Sequence, residues 1–134
     1  MKQKNTHKIK IFVIIGMLLV IAVAIAFWGY NQEGFTGNRI KNPDSYLLDI
    51  ERMNGTDLHT LDLQTDDVLQ IHFETVKGSL YMEIGAPDGT VIYRGNGLDT
   101  TDFTVNIPES GVYTVVVAAR HAKGTIHIQC VQTE

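Results

Sequence analysis

Residues 11–30, IFVIIGMLLVIAVAIAFWGY, form an unbroken run with no charged side chain and almost nothing polar. At a helical rise of about 1.5 Å per residue, this run reaches roughly 30 Å, the thickness of bilayer hydrocarbon. It divides the 134-residue chain into a short basic segment and one domain's length of sequence. Four lysines (Lys2, Lys4, Lys8 and Lys10) precede it, and all fifteen carboxylates follow it. The lysines act as a topology signal that holds the amino terminus in the cytoplasm. The expected organisation is a basic cytoplasmic segment over 1–10, a transmembrane signal anchor over 11–30, a flexible tether over 31–44 and an extracytoplasmic domain over 45–134.

A cleaved signal peptide is the competing reading of the same run. It has a basic start, an apolar stretch and the small-x-small pattern Ala24-Ile25-Ala26. Retention is favoured because no polar or helix-breaking stretch separates the apolar run from that cut site. Trp28 and Tyr30 also fall where an interfacial aromatic belt belongs. Beyond the run, seven basic residues stand against fifteen carboxylates, a balance of −8. Such a domain has no long-range attraction for nucleic acid or anionic lipid. Cys130 is the only cysteine, which excludes an intrachain disulfide and a multi-cysteine metal site.

Residues 31–44 are polar, with two glycines, a proline and no period. From Tyr46 onward, short alternating runs are separated by turn signals, the pattern of an all-β fold. The expected class is a jelly-roll or Ig-like antiparallel β-sandwich. Candidate strands fall at 46–52, 58–64, 68–75, 80–85, 91–93, 102–107, 112–119 and 125–131. Period two assigns Leu69, Ile71, Phe73, Leu80, Met82 and Ile84 to the core. Phe103, Val105, Ile107, Tyr113, Val115, Val117, Ala119, Ile126, Ile128 and Cys130 follow by the same rule. Asn54-Gly55, Lys77-Gly78 and Lys123-Gly124 all read as turns. Two hairpins then follow. In one, Ala119 pairs with Ile126, Val117 with Ile128 and Val115 with Cys130, which makes Cys130 a buried thiol. In the other, Phe73 faces Met82, Ile71 faces Ile84, and His72 lies opposite Glu83 on the outer face, with a sandwich crossover as the alternative route.

Two runs, 78–92 (GSLYMEIGAPDGTVI) and 107–117 (IPESGVYTVVV), together with the 67–73 strand (DVLQIHF), carry a resemblance. They resemble the bacterial pre-peptidase C-terminal domain over roughly 58–128. That resemblance implies a small jelly-roll-like β-sandwich with an extracytoplasmic accessory role in binding or secretion. Family members often carry Gly-Asp-Leu-Asp at the start of the first run, where this chain has Ser79 and Tyr81, so those calcium-linked carboxylates are missing here. No peptidase domain accompanies the resembling stretch.

No arrangement of residues points to catalysis. Histidines 59, 72, 121 and 127 lack metal-ligand spacing, and the serines have no nucleophile-elbow context. Asp66-Asp67, Asp88 and 99–102 read as turn aspartates that cap local backbone. Asn54-Gly55-Thr56 matches a glycosylation sequon but reads as a turn. The outward positions Tyr81 and Val116, with Ile92 and Val76 beside them and the His72–Glu83 pair on the same outer face, form the expected partner surface. The functional expectation is a non-enzymatic module without cofactor that binds a protein or a cell-envelope polymer. A secreted carbohydrate- or calcium-binding module with a cleaved signal is the alternative. Because the core forms from apolar residues alone, residues 31–134 should melt at the same temperature with calcium or with a chelator. A rise of many degrees with calcium would place a metal site in the aspartate-rich turns.

Overall fold

The computed structural model describes residues 2–131. Residue 1 and residues 132–134, the extreme ends of the expected cytoplasmic segment and β domain, lie outside the described residues. The chain divides into two compact units, 1–32 and 33–134. The first is one helix, α1 (Lys2–Asn31), which continues through the basic segment as well as the apolar run. Its stretch Asn5–Asn31 is long and apolar enough to cross a membrane. The Asn31 side-chain amide donates to the Phe27 carbonyl (2.9 Å), meeting one of the open acceptors of the last turn.

Among its described residues the second unit contains six strands: β1 (Gly34–Asn42), β2 (Ser45–Leu63), β3 (Val68–Gly85), β4 (Val91–Gly95), β5 (Asp102–Asn106) and β6 (Gly111–Val131). All pairings are antiparallel. Hydrogen bonds link the strands in the order β1-β2-β6-β3-β4, with β5 also on β3. The domain is therefore all-β and antiparallel, and its strands join in one sheet where the sandwich reading expected two.

Three strands of eighteen to twenty-one residues dominate the sheet. Six of the expected strands are halves of these three. Asn54-Gly55, Lys77-Gly78 and Lys123-Gly124 are not hairpin turns. They sit at register shifts inside β2, β3 and β6, and the shifts lie side by side. Met53 pairs with Ala122, Lys77 with Lys123, and Ser79 with Arg120. A register shift bends a strand and sharpens its twist. Aligned on three neighbours, the shifts bend the sheet along one line.

The bend brings backbones too close together for side chains. Gly78 has φ +65°, and a Cβ there would collide with the carbonyl oxygens of His121 and Arg120. A Cβ at Gly124 would strike the Glu74 carbonyl. His121 itself has φ +46°, and its backbone N–H donates to the Asn54 side-chain oxygen (2.6 Å). Asn54 is the one buried polar residue among those described, and its amide also lies 3.3 Å from His121 Nδ1. The sequon asparagine is thus a clamp across the bend, inside a continuous strand.

Alternation is correct on both sides of the bend. Leu69, Ile71, Phe73, Leu80, Met82, Ile84, Ile107, Tyr113, Val115, Val117, Ile126 and Ile128 are buried, while Phe103, Val105, Ala119 and Cys130 pack at the margin of the core. β2 adds Tyr46, Leu48, Ile50, Met53, Leu61 and Leu63. Side chains from both parts of each long strand join one core cluster. Tyr113 fixes the entry of β6 by donating its hydroxyl to the Glu109 carbonyl (2.6 Å), a tyrosine corner.

Both expected hairpins are replaced. Val115 pairs with Ile84 and His59, and Cys130 pairs with Leu69, so the 119–126 register does not form. Ile71 pairs with Ile128 and Phe103, and His72 with His127 and Asp102, which leaves no His72–Glu83 pair. The reason is common to both: Lys-Gly here marks a bend within a strand. The tether expectation also gives way, because β1 lies within 31–44 and pairs with β2 along its whole length. Its polar sequence hides it, since nearly all its side chains are exposed at the sheet margin.

Gly78→Ala should destabilise the domain by about 1–3 kcal/mol, because it adds both strain and a backbone collision. Gly89→Ala, also at positive φ but with open space around its Cβ, should cost only about 1 kcal/mol. Urea midpoints of the two variants check the difference.

Candidate binding surfaces

Beyond the bend, the outward face of β2, β6, β3 and β4 carries an apolar stripe. Register places Leu58 beside Val116, Val116 beside Glu83, and Glu83 beside Arg94. The next row places Ala118 beside Tyr81. Val112 lies on the same side two rows away, opposite Asp62. Leu58 and Val112 are each more than half exposed, which is costly for apolar side chains unless something covers them. At one edge, the Tyr81 hydroxyl donates to Glu83 (3.2 Å), and Arg94 reaches the other Glu83 oxygen (3.1 Å). The Glu83 hydrogen bond and charge raise the Arg94 pKa further.

Three of the six sequence-predicted surface residues, Tyr81, Glu83 and Val116, therefore share this face. Ile92 packs against the core, beside the register shift between β3 and β4. Val76 sits at the bend, in a hollow shared with Asn38, Glu51 and Lys123. His72 lies on the outward face on the other side of the bend. Leu58 and Val112 were not singled out from sequence. Their signal was available: both are apolar at the outward phase of their strands.

On the first side of the bend the outward face is polar. His72 and His127 are cross-strand neighbours with ring centroids 6.4 Å apart. His72 Nδ1 lies 2.8 Å from Asp102, and its Nε2 lies 3.6 Å from Glu74. His127 Nε2 lies 2.8 Å from Asp49. Each imidazole is thus turned to a carboxylate, and among the described residues no group of three His, Cys, Asp or Glu side chains converges on a metal position. These two histidines line a shallow hollow with Gln70, Asp102, Thr104 and Gln129.

A third cluster closes the inward side near β1. Asp57 takes the Tyr46 hydroxyl bond, Lys41 at 3.3 Å and Arg39 at 3.7 Å. Burial, then the Asp57 bond, pushes the Tyr46 pKa far above the usual phenol range. Lys41 also donates to the Leu58 carbonyl (2.8 Å). Asp57, the most enclosed of these charges, is thus paired, while Arg39 and Lys41 stay about one third accessible at the sheet margin. The turn aspartates serve the backbone. Asp88 accepts from the Thr90 N–H (2.9 Å), which lowers its pKa, and Asp67 accepts from the Gln64 N–H (2.8 Å).

No protein-family model matches the chain, and no curated protein matches it. Among solved structures, the chain is similar to accessory secretory protein 1, 2 and 3 of Streptococcus pneumoniae. The identity is 15%, the match covers 72% of this chain and 86% of that one, and the TM-score is 0.34. It is also similar to the isomalto-dextranase of Arthrobacter globiformis T6 complexed with panose. There the identity is 13%, the match covers 75% of this chain and 19% of that one, and the TM-score is 0.30. At these scores neither likeness assigns a function. The chain is a β-rich domain preceded by one apolar helix, and no likeness here assigns it to the pre-peptidase C-terminal family.

Cys130 is held as a thiol. Desolvation, then the Asp67 hydrogen bond and nearby acidic charge, pushes its pKa up to about 11. An ordinary cysteine near 8.5 is roughly one quarter thiolate at pH 8, whereas Cys130 should be about one part in a thousand. Because a thiolate of higher pKa is also more nucleophilic, part of that difference is offset, and iodoacetamide should label the folded domain at pH 8 at least about tenfold more slowly than the urea-unfolded chain. The rate should climb until the pH passes 11.

Proposed function

We propose that the chain is a single-pass membrane protein, with its amino terminus cytoplasmic. It displays the β domain outside the membrane as a non-catalytic binding module for a protein partner or a cell-envelope polymer. In this reading the parts of the sheet on either side of the bend act as the two layers of a sandwich. The inner faces supply stability, and the outer faces are free for recognition. The observation that carries the reading is the outward stripe of Leu58, Val112 and Val116 beside Tyr81. Apolar side chains placed outward, when the inward phase already fills a core, offer a partner area that water does not stabilise. Tyr81 adds a flat ring with a polar tip, suited to a sugar face or a protein groove. Lysines before the apolar helix and a net acidic domain after it support the orientation.

Protease added to intact cells should remove residues 31–134 and leave an amino-terminal tag protected. A domain that resists until lysis overturns the topology. A photo-crosslinking side chain at Val116 should form adducts in those cells, and one at exposed Asp99 should form none. Val116→Thr, which keeps a β-branched side chain and adds no charge beside Glu83, should weaken retention on the partner while keeping the unfolding free energy within about 1 kcal/mol of the parent. Equal adducts at 116 and 99 would remove the stripe as the binding face.

A further inference from the structure

The sheet's margins differ in how they resist further pairing. β1 shifts register after Thr36 and turns Arg39 and Lys41 inward. The far part of β2 is occupied by the Lys41 ammonium on the Leu58 carbonyl and by the Pro43 carbonyl on the Asp62 N–H. β4 carries Arg94 and a register shift against β3. Inward charges, bulges and basic side chains are the usual protections of an edge strand. β5 has no bulge, inward charge or basic side chain, and is protected only by its shortness and by Asp102 at one end. Its sequence DFTVN contains no Gly, Pro, Lys or Arg, and its register with β3 runs unbroken from Val68–Asn106 to His72–Asp102.

The hydrogen-bond phase of β5 is fixed at both ends. The Phe73 N–H bonds the Thr101 carbonyl (2.7 Å), and the Ile107 N–H bonds the Asp67 carbonyl (2.9 Å). Narrow and wide pairs alternate along an antiparallel ladder, so residues 103 and 105 also face β3 with their backbone groups. Asp102, Thr104 and Asn106 then point one N–H and one C=O each away from β3, to a margin where no described strand pairs.

We infer that this margin joins two copies of the chain, β5 against β5, antiparallel about a two-fold axis through Thr104. In that register Thr104 meets the second copy's Thr104, Phe103 meets its Val105 and Asp102 meets its Asn106. Each outward N–H finds an outward C=O. Phe103 and Val105, which are only half-buried at the core margin, gain apolar neighbours on the inward side. Each carboxylate meets an amide instead of a second carboxylate. A one-residue slip sets Phe103 against the wrong face, and a two-residue slip leaves Asp102 or Asn106 unpaired. Self-complementarity at one register is what an isologous dimer requires, and it is why the occupant is a second copy. Five residues are a small contact in free solution. Copies confined to one membrane meet at a far higher local concentration. The pairing uses a margin across the bend from the Tyr81–Val116 stripe and does not rest on the stripe's role.

The test uses the full chain in its own membranes, on a Cys130→Ser background. Thr104→Cys should give a disulfide dimer under mild oxidation, because paired Cα atoms here sit about 5.5 Å apart, within disulfide reach. Asp102→Cys alone and Asn106→Cys alone should give at least tenfold less, since like positions lie roughly 14 Å apart. The two co-expressed with different tags should give the mixed dimer. Thr104→Pro removes an N–H that makes no bond to β3, so the domain should keep its urea midpoint and lose the dimer in chemical crosslinking. The inference fails if Thr104→Cys stays monomeric, if the three single-cysteine variants crosslink equally, or if Arg94→Cys gives the dimer instead. It fails equally if Thr104→Cys joins a different protein, or if Thr104→Pro keeps the dimer with its fold intact.

Discussion

The bend shared by β2, β3 and β6 is the constraint on which the domain depends. Strands of eighteen to twenty-one residues would extend about 60–70 Å if straight, far beyond what one small core can cover. Placing register shifts at the same level in three neighbours lets the inward side chains of both parts pack into one cluster. The cost is local: two glycines where backbones nearly touch, a histidine in left-handed conformation, and an asparagine buried to satisfy the freed N–H. Replacing Asn54 by an apolar residue would leave that N–H without its acceptor in a buried place, which is more expensive than the bond itself is worth.

Once the sheet is bent, its margins become the next problem. On the β3 side, β5, the 97–101 loop and β4 take successive lengths of β3. The loop bonds the Phe73 and Thr75 N–H groups, and Tyr93 stacks on Phe103 with centroids 4.7 Å apart. On the β2 side, the β1–β2 turn lies along the far part of β2, and the Asp57 cluster fills the space that apolar side chains do not. A lone Asp57 at that depth would be costly. Two cations and a phenol make it tolerable, and the same contacts hold Lys41 and Arg39 inward on β1, where they discourage another strand.

The faces of the strands were legible in the sequence, and their ends were not. Period two separated Leu69, Ile71 and Phe73 from their neighbours because a side chain's face depends only on local alternation. The ends depended on Asn54-Gly55, Lys77-Gly78 and Lys123-Gly124. Glycine supplies positive φ or close approach, and both hairpin turns and bulges need that. Only the partner strand decides between the two, and it lies dozens of residues away. β1 was hidden for a different reason. A margin strand with little burial needs no apolar alternation, so its polar text looks like a tether. Of the expected surface, Tyr81, Glu83 and Val116 could be grouped by phase, but His72 is in phase and still belongs elsewhere, because the bend intervenes between 72 and 81. Leu58 and Val112 were readable by the same rule and are the stronger signal.

A face with shallow hollows and a short apolar stripe suits a protein held at a membrane better than one free in solution. A soluble binder must offset the loss of translational freedom from contact energy alone, which favours large or deeply pocketed interfaces. A chain whose apolar helix holds it in a bilayer has given up part of that freedom already, so each further contact acts at a raised effective concentration. In the proposed binding reading, a few side chains such as Leu58, Val116 and Tyr81 would then suffice for recognition of a partner at the same surface. The acidic domain works in the same direction: like charge keeps copies from sticking indiscriminately, which leaves pairing to places where backbone and side chains match.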